Sequence, residues 1–302
     1  MKKYILFNLC LSTMVAGSCQ QQGSKSERTY ERENFKQYWY AGAAEINTYQ
    51  LTQARYGEPR RGKAVLIFVT EDFSKSKQVK LDDPSEAGSD KVSVLKLNTT
   101  KNFITGIYPY SMMQSVFTPV NRHQAPNSLK TSMSSQEWCG HVFTQLNLRG
   151  NQVDVNSFSY FEQESDKSYS VKATLLEDEI WNIIRLEHTA LPTGNFEIIP
   201  GLFFTRLSHS ELKPQPASAT KSESGSLITY TVTIPDQRRS LSIQFDKVFP
   251  YKIVGWEEKF MERGVQQVTK ASLDKTLVTD YWAKNKNEFK YLRDSLNLST
   301  PY

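Results

Sequence analysis

Apolar and polar residues alternate along most of the chain with a period of two, the pattern of strands half-buried on one face. In AAEINTYQLTQARY, Ala44, Ile46 and Thr48 hold one phase, then Tyr49 and Leu51 take over the other, a slip that a bulge near Thr48 would produce. GEPRRG supplies the Gly and Pro of a reversal, and KAVLIFVTEDF follows, dense in β-branched and aromatic side chains; residues 42–73 are predicted to form a hairpin. VSVLKLN and NFITGIYPYSMMQSVFTPV continue beyond the polar stretch from Asp82 to Asp90. LKTSMSSQEWCGHVFTQLNLRG, QVDVNSFSYFEQE and KSYSVKATL come next, parted by Gly150-Asn151 and Ser165-Asp166-Lys167. Later, FEIIPGLFFTRLSH, HSELKPQPASATK, GSLITYTVTI, RSLSIQFDKVF and YKIVGWEEKF read as strands, with SESGS and PDQRR as turns.

Three segments follow helical steps instead. From Arg28 to Tyr40, the residues Tyr30, Phe35, Tyr38 and Trp39 fit a short helix ended by Gly42. In LLEDEIWNIIRLEH, Leu176, Ile180, Ile183, Ile184 and His188 share a face, and Glu177, Asp178 and Glu179 crowd the first turn, where acidic groups favour the helix dipole. LPTG ends it. In LVTDYWAKNKNEFKYLRDSLNL, the residues Leu277, Tyr281, Phe289, Leu292 and Leu296 predict a docking C-terminal helix. No long linker and no repeat of fixed period interrupts residues 42–302. The expectation is therefore a mainly β fold, an antiparallel half-barrel or open barrel with a central helix and a C-terminal helix.

The first residues change the picture of where this fold resides. MKKYILFNLCLSTMVAGSCQ has two lysines, an apolar run from Tyr4 to Val15, and small residues before Cys19, the grammar of a secretory signal. The run is shorter than the roughly 20 apolar residues of a spanning helix. Cysteine directly after Ala16-Gly17-Ser18 resembles the lipobox of bacterial lipoproteins, in which that cysteine becomes the acylated first residue; Ala16 stands where Leu is commonest. Ordinary cleavage near Ser18 is the alternative. The expected organisation is a signal peptide over 1–18, a lipid-attached tether over 19–27, and a single β-rich domain over 28–302. More than one acyl chain on Cys19 would hold the membrane firmly, since each buried methylene contributes about 0.8 kcal/mol. Gln20 stands where an Asp would imply retention at the inner membrane, so the sorting rule of Gram-negative lipoproteins points to the outer membrane. The tail from Gln20 to Lys25 has no acidic cluster of the kind that marks surface export, which favours the periplasmic side.

Charge and cysteines narrow the function classes. With 37 Lys plus Arg against 32 Asp plus Glu, two of those lysines in the leader, the balance is no nucleic-acid signature. Cys10 leaves with the leader and Cys19 carries lipid, which makes Cys139 the remaining thiol; a lone thiol in an oxidising compartment is usually buried as a small apolar residue.

Candidate chemistry is sparse. Gly57-Glu58-Pro59-Arg60-Arg61-Gly62-Lys63-Ala64 has the spacing of a phosphate-binding loop, but Ala64 offers no hydroxyl for magnesium and AVLIFV opens a strand where a helix is needed, so a charged hairpin turn is expected. Trp138-Cys139-Gly140-His141 suggests a thiol nucleophile with an imidazole base, yet residues i and i+2 of a strand lie about 6 to 7 Å apart, too far for a direct hydrogen bond unless Gly140 bends the backbone. His123, His188 and His209 fit no metal-ligand spacing, and no cofactor or metal is implied. The acidic runs Glu71-Asp72, Glu177-Asp178-Glu179 and Glu257-Glu258 are expected mainly on solvated surface.

Aromatic content stands out instead: 15 Tyr, 16 Phe and 5 Trp. Two clusters, one with Tyr108, Tyr110, Met112 and Met113, the other with Phe203 and Phe204, are candidates for lining an apolar ligand site; core packing is the competing role.

The stretches YWYAGAAEINTYQLTQARYGEPRRGKAVLIFVTEDFSKSKQVKL, ITGIYPYSMMQSVFTPV and SMSSQEWCGHVFTQLN resemble a family of uncharacterised Gram-negative, Bacteroides-group-like lipoproteins, over nearly the whole mature chain. Some members carry the name of the Maf septum formation inhibitors. True Maf proteins are cytoplasmic α/β pyrophosphatases with a Ser-Pro-Arg-Arg element, whereas Pro59-Arg60-Arg61 here lacks the serine, so no Maf site is carried over. The strand layout is similar to the half-barrel of lipoprotein carriers, which encloses a lipid. The family has no established activity to lend, and the expectation from the residues is an outer-membrane lipoprotein that binds an apolar ligand or an envelope protein without catalysis. The alternatives are an envelope enzyme using Cys139 and His141, and a structural or assembly partner.

Overall fold

In the computed structural model, residue 1 and residues 32–298 are described; the signal peptide, Cys19 and the tether therefore lie outside the described residues. The chain is mainly β. Strands β1 (Ala44–Arg55), β2 (Glu58–Ser74), β3 (Lys91–Thr105), β4 (Tyr108–Pro119), β5 (Lys130–Glu137), β6 (Gly140–Arg149), β7 (Gln152–Ser159) and β8 (Lys167–Lys172) form an antiparallel meander. After β9 (Leu175–Leu176), a second meander runs through β10 (Gly194–Ile199), β11 (Gln215–Ser224), β12 (Leu227–Ile234), β13 (Arg239–Asp246), β14 (Ile253–Glu262) and β15 (Val265–Thr279). The two halves join where β1 pairs with β15, giving one 15-stranded sheet with β8 at one edge and β9 at the other; the short β9–β10 pair is parallel. Among the described residues no helix is long and apolar enough to cross a membrane.

The sheet is curled. Its two edges are consecutive in the chain, since only Ala173 and Thr174 separate β8 from β9. Three Cα steps of about 3.8 Å hold Lys172 within about 11 Å of Leu175. Yet β8 pairs only with β7, and β9 only with β10, so the sheet is not closed into a barrel. Side chains bridge this seam: Lys172 Nζ lies 2.7 Å from Glu197 Oε2, and the Tyr169 hydroxyl donates to the Leu212 carbonyl at 2.9 Å.

Helices α1 (Glu33–Trp39), α2 (Ile180–Glu187) and α3 (Leu202–Ser208) pack against the inner face, and α4 (Tyr291–Ser295) lies near the C-terminus. Asn182 of α2 donates to the carbonyl of Leu95 at 3.0 Å and to the Thr118 hydroxyl at 2.8 Å. Arg185, also on α2, grips Glu45 of β1 through two bonds of 2.6 Å, and the Tyr38 hydroxyl of α1 donates to the same carboxylate. Trp39 and Phe68 flank that guanidinium, at 5.0 and 4.6 Å. Burial raises the Glu45 carboxyl, but the Arg185 charge and the bonds from Arg185, Asn47 and Tyr38 outweigh it and hold the group down at about 2.

Several expectations meet the structure directly. The hairpin over 42–73 is β1–β2, and the register of β1 against β15 shifts between Thr48 and Tyr49, with Asp274 of β15 as the extra residue. The phase slip in β1 itself has another cause. Tyr49 and Leu51 share the inner face with Glu45 and Asn47, so the inner phase is present throughout but polar at its start, where it meets Arg185. The GEPRRG reversal is narrower than expected: Tyr56 and Gly57, both at positive φ, make the turn, and Glu58 onward, including the loop-like Gly57 to Ala64 spacing, runs into β2. Gly62 is needed there, because a Cβ would lie 2.3 Å from the Asn102 carbonyl oxygen of β3. The C-terminal helix is shorter than its pattern suggests: Leu277 still belongs to β15, and only Tyr291–Ser295 is α-helical.

Candidate functional site

Antiparallel topology places the β1–β2, β3–β4, β5–β6, β7–β8, β12–β13 and β14–β15 connections at one end of the curled sheet. At this end a cleft of about 780 Å³ opens between α3, the segment after it, and the tips of β1 and β14. Arg55, Tyr56, Leu207, His209 and Phe260 contribute to its walls. Volumes of several hundred Å³ are typical of small-molecule sites. At its base Lys101, Phe203, Phe204 and Glu258 also line a small inner chamber of about 50 Å³, closed by Trp181, Trp256 and the acidic residues that precede α2. Chain entry is at the opposite end, where α1 leads into β1.

The chamber is built by a segment whose sequence pattern was ambiguous. FEIIPGLFFTRLSH was expected as one strand; β10 stops at Ile199, and after Pro200 and Gly201 the chain turns into α3. The amide of Leu202, unpaired within a helix start, donates to the Asp178 carboxylate at 3.1 Å. Gly201 lets the two chains come this close: a Cβ there would lie 2.7 Å from Glu177 Oε1 and 3.0 Å from Asp178 Oδ1. Helical geometry then lets the consecutive Phe203 and Phe204 both reach the cleft, which a strand would have turned to opposite faces.

A charged network lies beneath these rings. Arg239, at the start of β13, gives two bonds of 2.5 Å to Glu177 and one of 2.6 Å from Nε to Glu258, while its guanidinium stacks 4.1 Å from the Phe204 ring. All three partners are buried. Burial pushes the Asp178 carboxyl up to about 7, with the neighbouring Glu177 charge adding to the rise and the Gln114 side chain and Leu202 amide opposing it. Burial likewise lowers the Lys101 ammonium, against the upward pull of Glu258. Glu179 serves the scaffold instead, accepting from the Leu176 and Ser128 amides at 3.0 and 2.5 Å.

The runs Glu177-Asp178-Glu179 and Glu257-Glu258 were expected mainly on solvated surface; the three residues before α2 are buried, as is Glu258, because Arg239 and backbone amides meet them inside. A sequence signal existed: Lys101 shares its strand face with Leu97 and Phe103, Arg239 with Leu241 and Ile243, and Glu258 with Trp256, so each is a charged residue in the apolar phase of a strand.

The two aromatic clusters are placed differently. Phe203 and Phe204 line the cleft. Tyr110 and Met112 face inward and are buried, Tyr110 stacked on Phe103 at 4.8 Å, whereas Met113 points to the outer face and is exposed. Tyr108 is half-buried, its ring 5.9 Å from that of Tyr110. Tyr110 reaches the cleft wall indirectly, by hydrogen bonds to Tyr56 at 2.8 Å and from Arg55 at 3.2 Å.

Cys139 was expected buried within a strand, and is exposed. Trp138 and Cys139 form the two-residue tip between β5 and β6, where a thiol has no wall to pack on. The Glu137 carboxylate, hydrogen-bonded to the thiol, pushes it up, the opposite of what a thiolate nucleophile requires. His141 is exposed on β6. Of the other histidines, His188 packs 4.7 Å from the Tyr251 ring, and His209 Nδ1 lies 2.6 Å from Glu164 at the rim of a second hollow between α3 and β8. The end that holds the cleft also carries exposed apolar tips: Ile107 is 82% exposed, Trp138 68% and Tyr160 71%.

No family model matches the chain, and no curated protein matches it. Among solved structures it is similar to a beta-barrel-like protein of the domain of unknown function DUF1849 from Brucella abortus, at a TM-score of 0.47 and 7% identity, over 79% of this chain and 98% of that one.

Proposed function

We propose that this protein is an outer-membrane lipoprotein, anchored through acyl chains on Cys19 and facing the periplasm, that holds an apolar ligand in the cleft of its curled sheet without transforming it. The observation that carries the binding part is the cleft itself, in which Phe203, Phe204, Leu207 and Phe260 form an apolar strip between polar side chains such as Arg55, His209 and Glu211, continuous with an inner chamber. Rings and aliphatic walls of this kind recover hydrophobic free energy on burying an apolar ligand, about 25 cal/mol per Å² removed from water. The anchoring part rests on the leader and the residues before Cys19. A tether at residues 19–27 leads to α1 at the end away from the cleft, an arrangement that supports a mouth directed off the anchoring bilayer.

Two measurements test the two parts. Native mass spectrometry of protein prepared without detergent is expected to show a co-purified lipid-sized adduct. A preparation that carries none, and that after delipidation also fails to bind an apolar fluorescent probe, overturns the binding reading. Metabolic labelling with palmitate is expected in the wild type and absent in Cys19→Ala; labelling that persists in the variant, or none in either, removes the anchor.

A second reading, contact with another envelope protein, draws on the exposed tips Ile107, Trp138 and Tyr160, since apolar residues grouped on one end mark contact surfaces. Photo-crosslinking from position 138 in cells is expected to trap a partner under that reading and nothing under the first.

A further inference from the structure

Lys101 is 8% exposed, and what it lacks is more informative than what it touches. Among the described residues its ammonium makes no hydrogen bond and has no carboxylate within ion-pair reach; its near neighbour is the face of Phe203, 4.9 Å away. The surrounding charges are committed elsewhere. Arg239 takes up both Glu177 and Glu258, and Asp178 accepts from the Leu202 amide. Lys101 lines both the inner chamber and the outer cleft, so its free donors meet whatever enters from the mouth. A buried ammonium without a partner is costly, and a carboxylate brought to it by a ligand offsets that cost.

We propose that Lys101 is the anchor for the carboxylate of a long-chain acid, whose chain lies along Phe203, Phe204, Leu207 and Phe260 toward the mouth. The inference rests on the cleft being a ligand site. A monoanion is the chemistry that fits where the chamber meets the cleft: among the described residues Lys101 has no carboxylate partner there, whereas Arg239 is held by Glu177 and Glu258, and those two carboxylates oppose a second negative charge. Asp178 lines the same chamber, and its carboxyl, pushed up by burial, opposes an incoming anion less than an ordinary carboxylate would. Charge-assisted bonds of this kind contribute enough to distinguish a carboxylate from an uncharged head of the same length.

The test compares hexadecanoate with hexadecanol on the delipidated mature protein by displacement of an apolar fluorescent probe, in wild type, Lys101→Met and Lys101→Arg. In wild type the acid is expected to bind about tenfold or more tighter than the alcohol. Lys101→Met is expected to lose that advantage, so that acid and alcohol bind it alike, and Lys101→Arg to keep most of it. Equal binding of acid and alcohol to wild type overturns the proposal with no variant needed, and so does an acid affinity unchanged in Lys101→Met. In both cases the cleft remains a site for apolar ligands. Failure of the probe, acid and alcohol alike to bind wild type brings down the underlying reading instead.

Discussion

Asp178 holds a carboxyl whose ordinary value is 3.8 at about 7, chiefly by burial. In the unfolded chain the group ionises near the ordinary value, so between roughly pH 4 and 7 the folded state carries a proton that the unfolded state has lost. Stability from this group is full below the unfolded value and declines as pH rises through about 7. Asp178→Asn, which keeps an acceptor for the Leu202 amide without a charge, is expected to be more stable than wild type at pH 8 by roughly 1 to 4 kcal/mol, the gain vanishing near pH 4. Thermal unfolding at both pH values measures it. Glu45 gives the opposite sign: held at about 2, it contributes stability above pH 4.5 that is lost as pH falls toward 2. Glu45→Gln leaves Arg185 buried without its counter-charge and is expected to cost about 3 to 5 kcal/mol at pH 7. Denaturant titrations should show the gap to wild type narrowing as the buffer is acidified.

At the scale of elements, α3 depends on Gly201. In Gly201→Ala the new Cβ meets two carboxylates that Arg239 and the Leu202 amide hold in place, so either the chamber or the start of α3 must shift. A loss of about 1 to 3 kcal/mol is expected, visible as a lower denaturant midpoint, together with weaker probe binding in the cleft. Residues like this explain what reading the chain could reach. Strand alternation, turn chemistry and helical periodicity located the β1–β2 hairpin and α2, because those signals are local; the register shift at Thr48 coincides with the phase slip but comes from Asp274 of β15, a residue on the partner strand. α3 was hidden, since IIPGLFF is apolar in every phase and its helix is selected by contacts with Asp178 from a distant segment. Of the candidate ligand residues, Phe203 and Phe204 reach the cleft. The charged floor was missed because adjacent carboxylates ordinarily signify solvent, and only the strand phase of Lys101, Arg239 and Glu258 argued otherwise.

At the scale of the whole molecule, the pairing of the first strand with the last was beyond local pattern, as no short-range signal specifies a contact such as Tyr49 hydroxyl to Ile253 carbonyl at 2.8 Å across the chain. That pairing makes β1, β2 and β15 the interior of the sheet and leaves β8 as an edge strand with one side of its backbone unpaired. Amide hydrogen exchange is expected to be faster throughout β8 than in β2, by an order of magnitude or more. Equal protection in the two would mean that β8 is covered in solution.

The two-residue step across Ala173 and Thr174 has a mechanical consequence. A wall stitched by backbone ladders is stiff, but along this one line it is held, among the described residues, by a covalent strap at one end and by side chains: the solvent-exposed Lys172–Glu197 clasp, the Tyr169 hydroxyl, and Glu164 with Arg206 and His209. Exposed ion pairs resist little. Parting the wall along this line, as in a split sleeve, would cost side-chain contacts and no rung of the sheet.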